Sequence, residues 1–106
     1  DSLIRHAVGM LRAKHPNTPI ILAEHSSAGT PGFQNIHTMK EYGRSSQVAA
    51  STFRQLKESG VNNLYFVPAT AFSLDVNSTV DYAHPNDIGM MKIADTYRDE
   101  LQKILK

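Results

Sequence analysis

Hydrophobic residues recur with two different spacings along the 106-residue chain, and each spacing predicts a different kind of element. In the first segment, apolar side chains recur at three- and four-residue intervals with charged ones between them, which predicts a helix over about residues 2–14. Asp1 or Ser2 can cap its start. Pro16 ends it, because proline disfavours helical backbone in the preceding residue. The apolar face of this helix consists of Leu3, Ile4, Ala7, Met10 and Leu11.

Two runs, near residues 19–24 and 63–67, are apolar at nearly every position. A continuous apolar run is typical of a strand that is covered on both faces in a parallel sheet. Helical spacing between the two runs predicts a second helix from about residue 38 or 39 to residue 59, and Gly60 is well suited to end it. Parallel strands joined by a helix form a right-handed crossover. The predicted fold class is therefore α/β.

A third helix is predicted from about residue 87 to residue 105, after a long loop that follows the second strand. We expect it to pack through one apolar stripe, which consists of Met90, Ala94, Tyr97, Leu101 and Ile104. Another long polar segment, residues 25–37, follows the first strand. Ligands in open α/β sheets bind beyond the carboxyl ends of the strands, so we expect the first polar side chains there to line a pocket. These are Glu24, His25, Ser26 and Ser27.

The segment Asp81-Tyr82-Ala83-His84-Pro85-Asn86-Asp87-Ile88-Gly89 places a carboxylate three residues before a histidine, just ahead of the third helix. Histidine accepts a proton at neutral pH only through an unprotonated ring nitrogen, and a carboxylate on the other nitrogen fixes that tautomer. Asp81 is within reach of Nδ1 of His84, which leaves Nε2 to face a nucleophile. Pro85 keeps His84 out of the helix. Asn86 is the expected N-cap, with Pro85 at the first helical position as the alternative.

The pattern Asp-x-x-His-Pro, followed by Asn-Asp-x-Gly and an amphipathic helix, resembles the last conserved block of the SGNH/GDSL hydrolases, a family of serine esterases and lipases. The resemblance implies that His84 is the base, and Asp81 the orienting acid, of a Ser-His-Asp triad. It also implies a flavodoxin-like, three-layer α/β/α fold and a small-molecule acyl ester as the substrate.

The other blocks of that family are missing from this sequence, namely the serine of a Gly-Asp-Ser motif and the glycine and asparagine that donate to the oxyanion. We therefore expect residues 1–106 to be one unit, the C-terminal half of such a hydrolase, and to be inactive alone. In the family's strand order, the strand near residues 19–24 has a further neighbour that this chain lacks. Its apolar edge is expected to be covered by the N-terminal half of the hydrolase, by a second copy or by a rearranged segment.

Composition excludes several other classes. The net charge is +1 and no basic run or stripe is present, so no nucleic-acid partner is expected. No apolar run is long enough to span a membrane, and no stretch has the pattern of a signal peptide. Without cysteine there is no disulfide and no cysteine nucleophile. His25, His37, His84 and Glu24 are residue types that bind zinc, but no two have the spacing of helical ligands, so we expect no metal and no cofactor.

Other interpretations of the same residues stay open. Asp75 or Asp87 could take the place of Asp81, and Asp81 could simply accept hydrogen bonds from local amides at a helix entry. Ser26 and Ser27 lack the Gly-x-Ser-x-Gly context of a nucleophile elbow. The alternative function is a noncatalytic, flavodoxin-like module whose long loops bind a small ligand.

Overall fold

The structure is a computed structural model that describes residues 2–25, 36–81 and 83–106. Its main elements follow the predicted order of helix, strand, helix, strand and helix, and the α/β fold class is confirmed. The first and third helices have nearly the predicted bounds, and the second begins two or three residues earlier than predicted. The elements are α1 (Ser2–Lys14), β1 (Ile20–Ala23), α2 (Ile36–Glu58), β2 (Leu64–Val67) and α3 (Asp87–Ile104).

The two strands pair in parallel, as the sequence predicts. Ile20 lies opposite Leu64 and Ala23 lies opposite Val67. One further hydrogen bond continues the ladder beyond β1, because the amide of Glu24 donates to the carbonyl of Val67 at 2.9 Å. The carboxyl ends of both strands therefore lie at the same edge of the sheet, where the segment that leads to α3 begins.

A small core joins α1 and α2 to one face of this sheet. Val8 of α1, Leu56 of α2 and Leu64 of β2 are each less than a tenth exposed and contact one another. Burying a side chain of this size stabilises the fold by about 1.5–3 kcal/mol. Half-buried apolar residues surround these three, namely Ile4, Ile20, Leu22, Phe53 and Val61.

Two short 3-10 helices lie between β2 and α3, where the sequence predicted only a loop. The first 3-10 helix is Ala69–Phe72 and the second is Val76–Ser78. Phe72 is buried, and its ring meets the ring of Tyr97 edge-on, with the centroids 5.4 Å apart. The hydroxyl of Thr96 donates to the carbonyl of Ala71 at 3.3 Å. These contacts fix α3 against the segment that precedes it.

The apolar stripe predicted for α3 is only partly correct. Tyr97 does pack inward, but Met90 and Leu101 are 56% and 41% exposed. Gly89 is buried and Thr96 faces the first 3-10 helix, so the packed face of α3 is rotated from the predicted one. The error has a physical cause, because α3 carries apolar side chains on more than one face and small or polar residues make its closest contacts. None of the helices in the described ranges is long and apolar enough to cross a membrane.

Candidate active site

Asp81 and His84 are in direct contact through their side chains. Nδ1 of His84 lies 2.6 Å from Oδ2 of Asp81. An ionised carboxylate can only accept hydrogen bonds, so Nδ1 carries the proton and donates it to Asp81. The unprotonated nitrogen of the neutral ring is then Nε2. The spacing of three residues is therefore enough to bring the predicted pair together.

The second oxygen of Asp81 binds the backbone of the same loop. Oδ1 accepts from the amide of His84 at 2.7 Å and from the amide of Ala83 at 3.1 Å. The amide of His84, followed by its ring and the amide of Ala83, lowers the pKa of Asp81 to about 2. Asp81 is thus ionised throughout the neutral range. It satisfies local amides, as the alternative interpretation expected, and it also holds the ring.

The pair is open to solvent. The side chain of His84 is 74% exposed and that of Asp81 is 53% exposed. Within the described part of the chain, no hydrogen bond to Nε2 of His84 is present. An exposed imidazole with one nitrogen held by a carboxylate can accept a proton at the other nitrogen from an approaching hydroxyl group.

A short antiparallel bridge closes the loop that carries this pair. Thr79 pairs with Pro85, and the amide of Val80 donates to the carbonyl of His84 at 2.9 Å. On the other side of the Thr79–Pro85 pair, the amide of Asn86 donates to the carbonyl of Ser78 at 3.0 Å. The ends of the loop that contains Asp81 and His84 are therefore held together by the backbone.

Asn86 caps α3, as predicted. Its side-chain Oδ1 accepts from the amide of Gly89 at 3.1 Å, which satisfies one of the free donors at the start of the helix. The helix begins at Asp87, so the alternative register with Pro85 as its first residue is wrong. His84 accordingly lies outside the helix, on the loop just before the cap.

Neither competing carboxylate takes the place of Asp81. Asp75 caps the second 3-10 helix, where it accepts from the amides of Asn77 and Ser78, and it lies 3.5 Å from Nζ of Lys92. The hydroxyl of Ser78 is the main cause that lowers the pKa of Asp75, although burial opposes it and Lys92 assists. Asp87 is an exposed residue of the first turn of α3, where a carboxylate favours the helix dipole.

Of the four residues predicted to line a pocket, the structure describes two, Glu24 and His25. Oε2 of Glu24 accepts from the amide of Ala69 at 2.7 Å, so this half-buried carboxylate links the end of β1 to the first 3-10 helix. His25 is exposed. Ser26 and Ser27 lie outside the described residues. Pocket lining by these four residues stays a prediction.

The second 3-10 helix, which directly precedes the loop, was not predicted from the sequence, although the sequence contains one signal for it. Asp75 and Ser78 form a capping box, in which each side chain accepts a hydrogen bond from the backbone amide of the other. Asp-x-x-Ser has the spacing of such a box. Ser78 is fully buried, and its carbonyl accepts from Asn86 next to the bridge that closes the loop.

An open groove of about 620 Å³ lies on α3, away from Asp81 and His84. The side chains that line it belong to α3 and to Leu105, the residue directly after α3, so the groove is an uncovered helix face rather than an enclosed site. Neither Asp81 nor His84 lines this groove. The lining residues are Ala94, Tyr97, Arg98, Leu101, Gln102 and Leu105.

Two solved structures of other proteins are similar to this chain. The chain is similar to the crystal structure of a protein from Bacteroides ovatus ATCC 8483 described as a GDSL-like lipase, with 34% identity and a TM-score of 0.78. The match covers 92% of this chain and 29% of that one. The salicylyl-acyltransferase SsfX3 from a tetracycline biosynthetic pathway shares the fold at 17% identity, with a TM-score of 0.69 over 92% of this chain and 30% of its own.

The chain thus spans less than a third of the length of each of these two proteins. A search of curated proteins found no match. The sequence profile of the GDSL-like lipase/acylhydrolase family matches residues 1–102, which is almost the whole sequence. This chain therefore belongs to the GDSL-like lipase/acylhydrolase family.

Proposed function

We propose that His84 is the general base, and Asp81 its orienting carboxylate, in the Ser-His-Asp triad of an ester hydrolase. The observation that carries the proposal is the 2.6 Å contact between Nδ1 of His84 and Oδ2 of Asp81, on a ring that is three-quarters exposed. This contact holds the ring in the tautomer that leaves Nε2 as the proton acceptor.

In the reaction, Nε2 of His84 takes the proton of a serine hydroxyl while the serine oxygen attacks the acyl carbonyl of the ester. Asp81 stabilises the imidazolium that forms, because its carboxylate stays ionised beside Nδ1. His84 then gives the proton to the leaving alcohol as the carbon–oxygen bond of the ester breaks. A water molecule repeats the cycle on the acyl-enzyme and releases the acid.

We propose that the serine and the oxyanion donors belong to a segment outside this sequence, so that the chain is the C-terminal portion of a hydrolase domain. The short share of the matched proteins supports this, since about seven-tenths of each lies outside the match. The same segment, or a second copy, would cover the outer edge of β1. The substrate is a small acyl ester, in keeping with the family to which the chain belongs.

The first test uses the isolated chain with p-nitrophenyl acetate. Loss of the nucleophile from a triad costs on the order of 10⁶ in rate, so we expect turnover no faster than that of the His84→Ala variant. Turnover by the wild-type chain that disappears in His84→Ala would contradict the need for a second segment, because the chain would then supply its own nucleophile.

The second test asks whether the pair is catalytic. This chain replaces the matching 29% of the Bacteroides ovatus protein, and the chimera is assayed with a series of p-nitrophenyl esters beside the unaltered protein. In an active chimera, His84→Ala should lower kcat by about 10⁴–10⁶ and Asp81→Asn by about 10⁴. The matched control is Asp95→Asn, which removes an exposed carboxylate of α3 that pairs with Arg98 at 3.0 Å. Equal activity of His84→Ala and Asp95→Asn would exclude His84 as the base.

A further inference from the structure

We propose that Asn86 is a positioning residue, which sets the geometry of the Asp81–His84 pair by joining the start of α3 to the second 3-10 helix through its side-chain amide. The inference rests on the proposed function in one respect only, namely that the Asp81–His84 pair is catalytic. The hydrogen bonds by which Asn86 joins the two helices do not depend on that function.

Asn86 makes more contacts than a helix cap requires. Capping needs only the side-chain Oδ1, which accepts from the amide of Gly89 at 3.1 Å. The other end of the same side chain, Nδ2, donates to the carbonyl of Asn77 at 2.9 Å. The backbone amide of Asn86 donates to the carbonyl of the next residue, Ser78, at 3.0 Å. One residue thus binds both α3 and the second 3-10 helix.

The position of Asn86 makes these bonds decisive for the pair. Asn86 follows His84 by two residues, and its partners Asn77 and Ser78 precede Asp81 by four and three residues. The distance between Asp81 and His84 therefore depends on how the two ends of the loop are held, and Asn86 contributes two of the bonds that hold them. The bridge next to it, between Thr79 and Pro85, also holds the two ends of the loop together.

The packing around this joint leaves no room for adjustment. Ser78 is fully buried, and Gly89 is buried in the first turn of α3. A Cβ atom added at residue 89 would lie 2.2 Å from the carbonyl oxygen of Ser78. The backbone of α3 therefore lies directly against the second 3-10 helix at the level of Asn86.

The chemistry of the joint fits asparagine better than the other good capping residues. A carboxamide has both an acceptor and two donors, so it can cap the helix and bind a carbonyl at the same time. Aspartate can cap but has no donor, and its charge would face the carbonyl of Asn77. Serine can cap with its hydroxyl oxygen but has no amide nitrogen that could donate to the carbonyl of Asn77. Asn86→Ser therefore removes the bond to Asn77 and keeps a capping oxygen on a neutral side chain.

The test compares the wild-type chain with Asn86→Ser by NMR. The carboxyl carbon of Asp81 is titrated, and the Nδ1 signal of His84 is recorded. In Asn86→Ser, we expect the pKa of Asp81 to rise from about 2 toward its ordinary value of 3.8, and the hydrogen-bonded Nδ1–H signal to weaken, while α3 stays helical. The control is Thr96→Val, which removes the bond from α3 to Ala71 further along the helix, away from Asn86, and should leave both signals unchanged.

A folded Asn86→Ser variant in which Asp81 titrates as in the wild type would overturn the proposal. A second measurement needs no variant, so it holds even if Asn86→Ser does not fold. The Nδ2 protons of Asn86 in the wild type should exchange with solvent more slowly than those of Gln102, an exposed amide of α3. Equal exchange rates would overturn the proposal. Neither measurement uses an ester, so their failure is distinct from a failure of the proposed esterase function.

Discussion

The carboxylate of Asp81 holds His84 at two points, since Oδ2 lies 2.6 Å from Nδ1 of the ring and Oδ1 lies 2.7 Å from the backbone amide. A carboxylate that accepts from a side chain and from the backbone of one residue fixes the side chain relative to the backbone. The imidazole is therefore held by both oxygens of one carboxylate, provided that the loop keeps Asp81 and His84 at this distance. The loop is in turn fixed to α3 by the cap at Asn86.

The titration of Asp81 provides a direct prediction of pH dependence. Its pKa in the folded chain is about 2, below the ordinary value of 3.8, because the amide and ring of His84 stabilise the ionised form. The stabilisation is fully present above pH 3.8 and is lost as the pH falls through about 2. The free energy of unfolding, measured between pH 2 and pH 5, should fall more steeply toward acid in the wild type than in Asp81→Asn. Parallel curves would show that Asp81 makes no such contribution.

Replacing Gly89 with alanine should destabilise the chain, although alanine is the better helix former. The added Cβ would lie 2.2 Å from the carbonyl oxygen of Ser78 and 2.8 Å from Cβ of Pro85, and backbone atoms cannot move aside cheaply. We expect a loss of about 1–3 kcal/mol in the free energy of unfolding, measured by urea denaturation.

Gly9→Ala is the matched control for this substitution. Gly9 lies in α1, and a Cβ there would have nothing within 4 Å. Helix propensity should then raise the free energy of unfolding by about 0.5–1 kcal/mol. The two substitutions are chemically identical and should have opposite signs. A stabilising Gly89→Ala would mean that α3 does not lie against Ser78 as closely as the structure has it.

The guanidinium of Arg12 joins two connections at the amino end of the sheet. Nη1 and Nη2 donate to five backbone carbonyls at 2.7–3.2 Å, three in the turn after α1 and two just before β2. Lysine offers one compact ammonium group in place of this planar fork, so Arg12→Lys should leave several of these carbonyls without their donor. The acceptors belong to His15, Pro16, Thr18, Asn62 and Asn63.

We expect Arg12→Lys to lower the free energy of unfolding by about 1–3 kcal/mol, since hydrogen bonds from a charged group are among the stronger ones. The control is Arg54→Lys, at an exposed position of α2, where the change should stay within about 0.5 kcal/mol. Both are measured by urea denaturation at neutral pH. Similar values for the two variants would remove Arg12 from the residues that hold the sheet to α1.

Local patterns accounted for most of what could be predicted from the sequence. The bounds of α1 and the parallel pairing of β1 with β2 follow from hydrophobic spacing, which reports burial directly. The contact between Asp81 and His84 was predictable for a related reason. A separation of three residues allows two side chains to meet across a single turn of the backbone.

The features that were not predicted depend on contacts that produce no periodic pattern in the sequence. The bond from Asn86 to the carbonyl of Asn77 spans nine residues and uses a backbone acceptor, which any residue at that position would offer. The face of α3 that packs inward is chosen by Gly89 and Thr96, which no hydrophobicity pattern would select. The sequence therefore indicated that Asp81 and His84 lie in contact, but not which residues hold the loop that carries them.

The outer edge of β1 gives the last prediction. β2 pairs with one edge of β1, and within residues 2–25, 36–81 and 83–106 no strand pairs with the other. An unpaired edge exposes backbone donors and acceptors to any available strand, so the isolated chain should associate with itself. Its weight-average mass in sedimentation equilibrium should rise with concentration.

A lysine on the edge strand should oppose this association, because burying its charge between two copies is costly. Ile21→Lys, in the middle of β1, should therefore sediment with a mass closer to that of the monomer. Val76→Lys adds the same charge at a 53% exposed position of the second 3-10 helix and should associate like the wild type. Circular dichroism establishes that both variants keep their helices. If the wild-type chain stays monomeric at every concentration, the edge of β1 is covered in some other way and does not drive association.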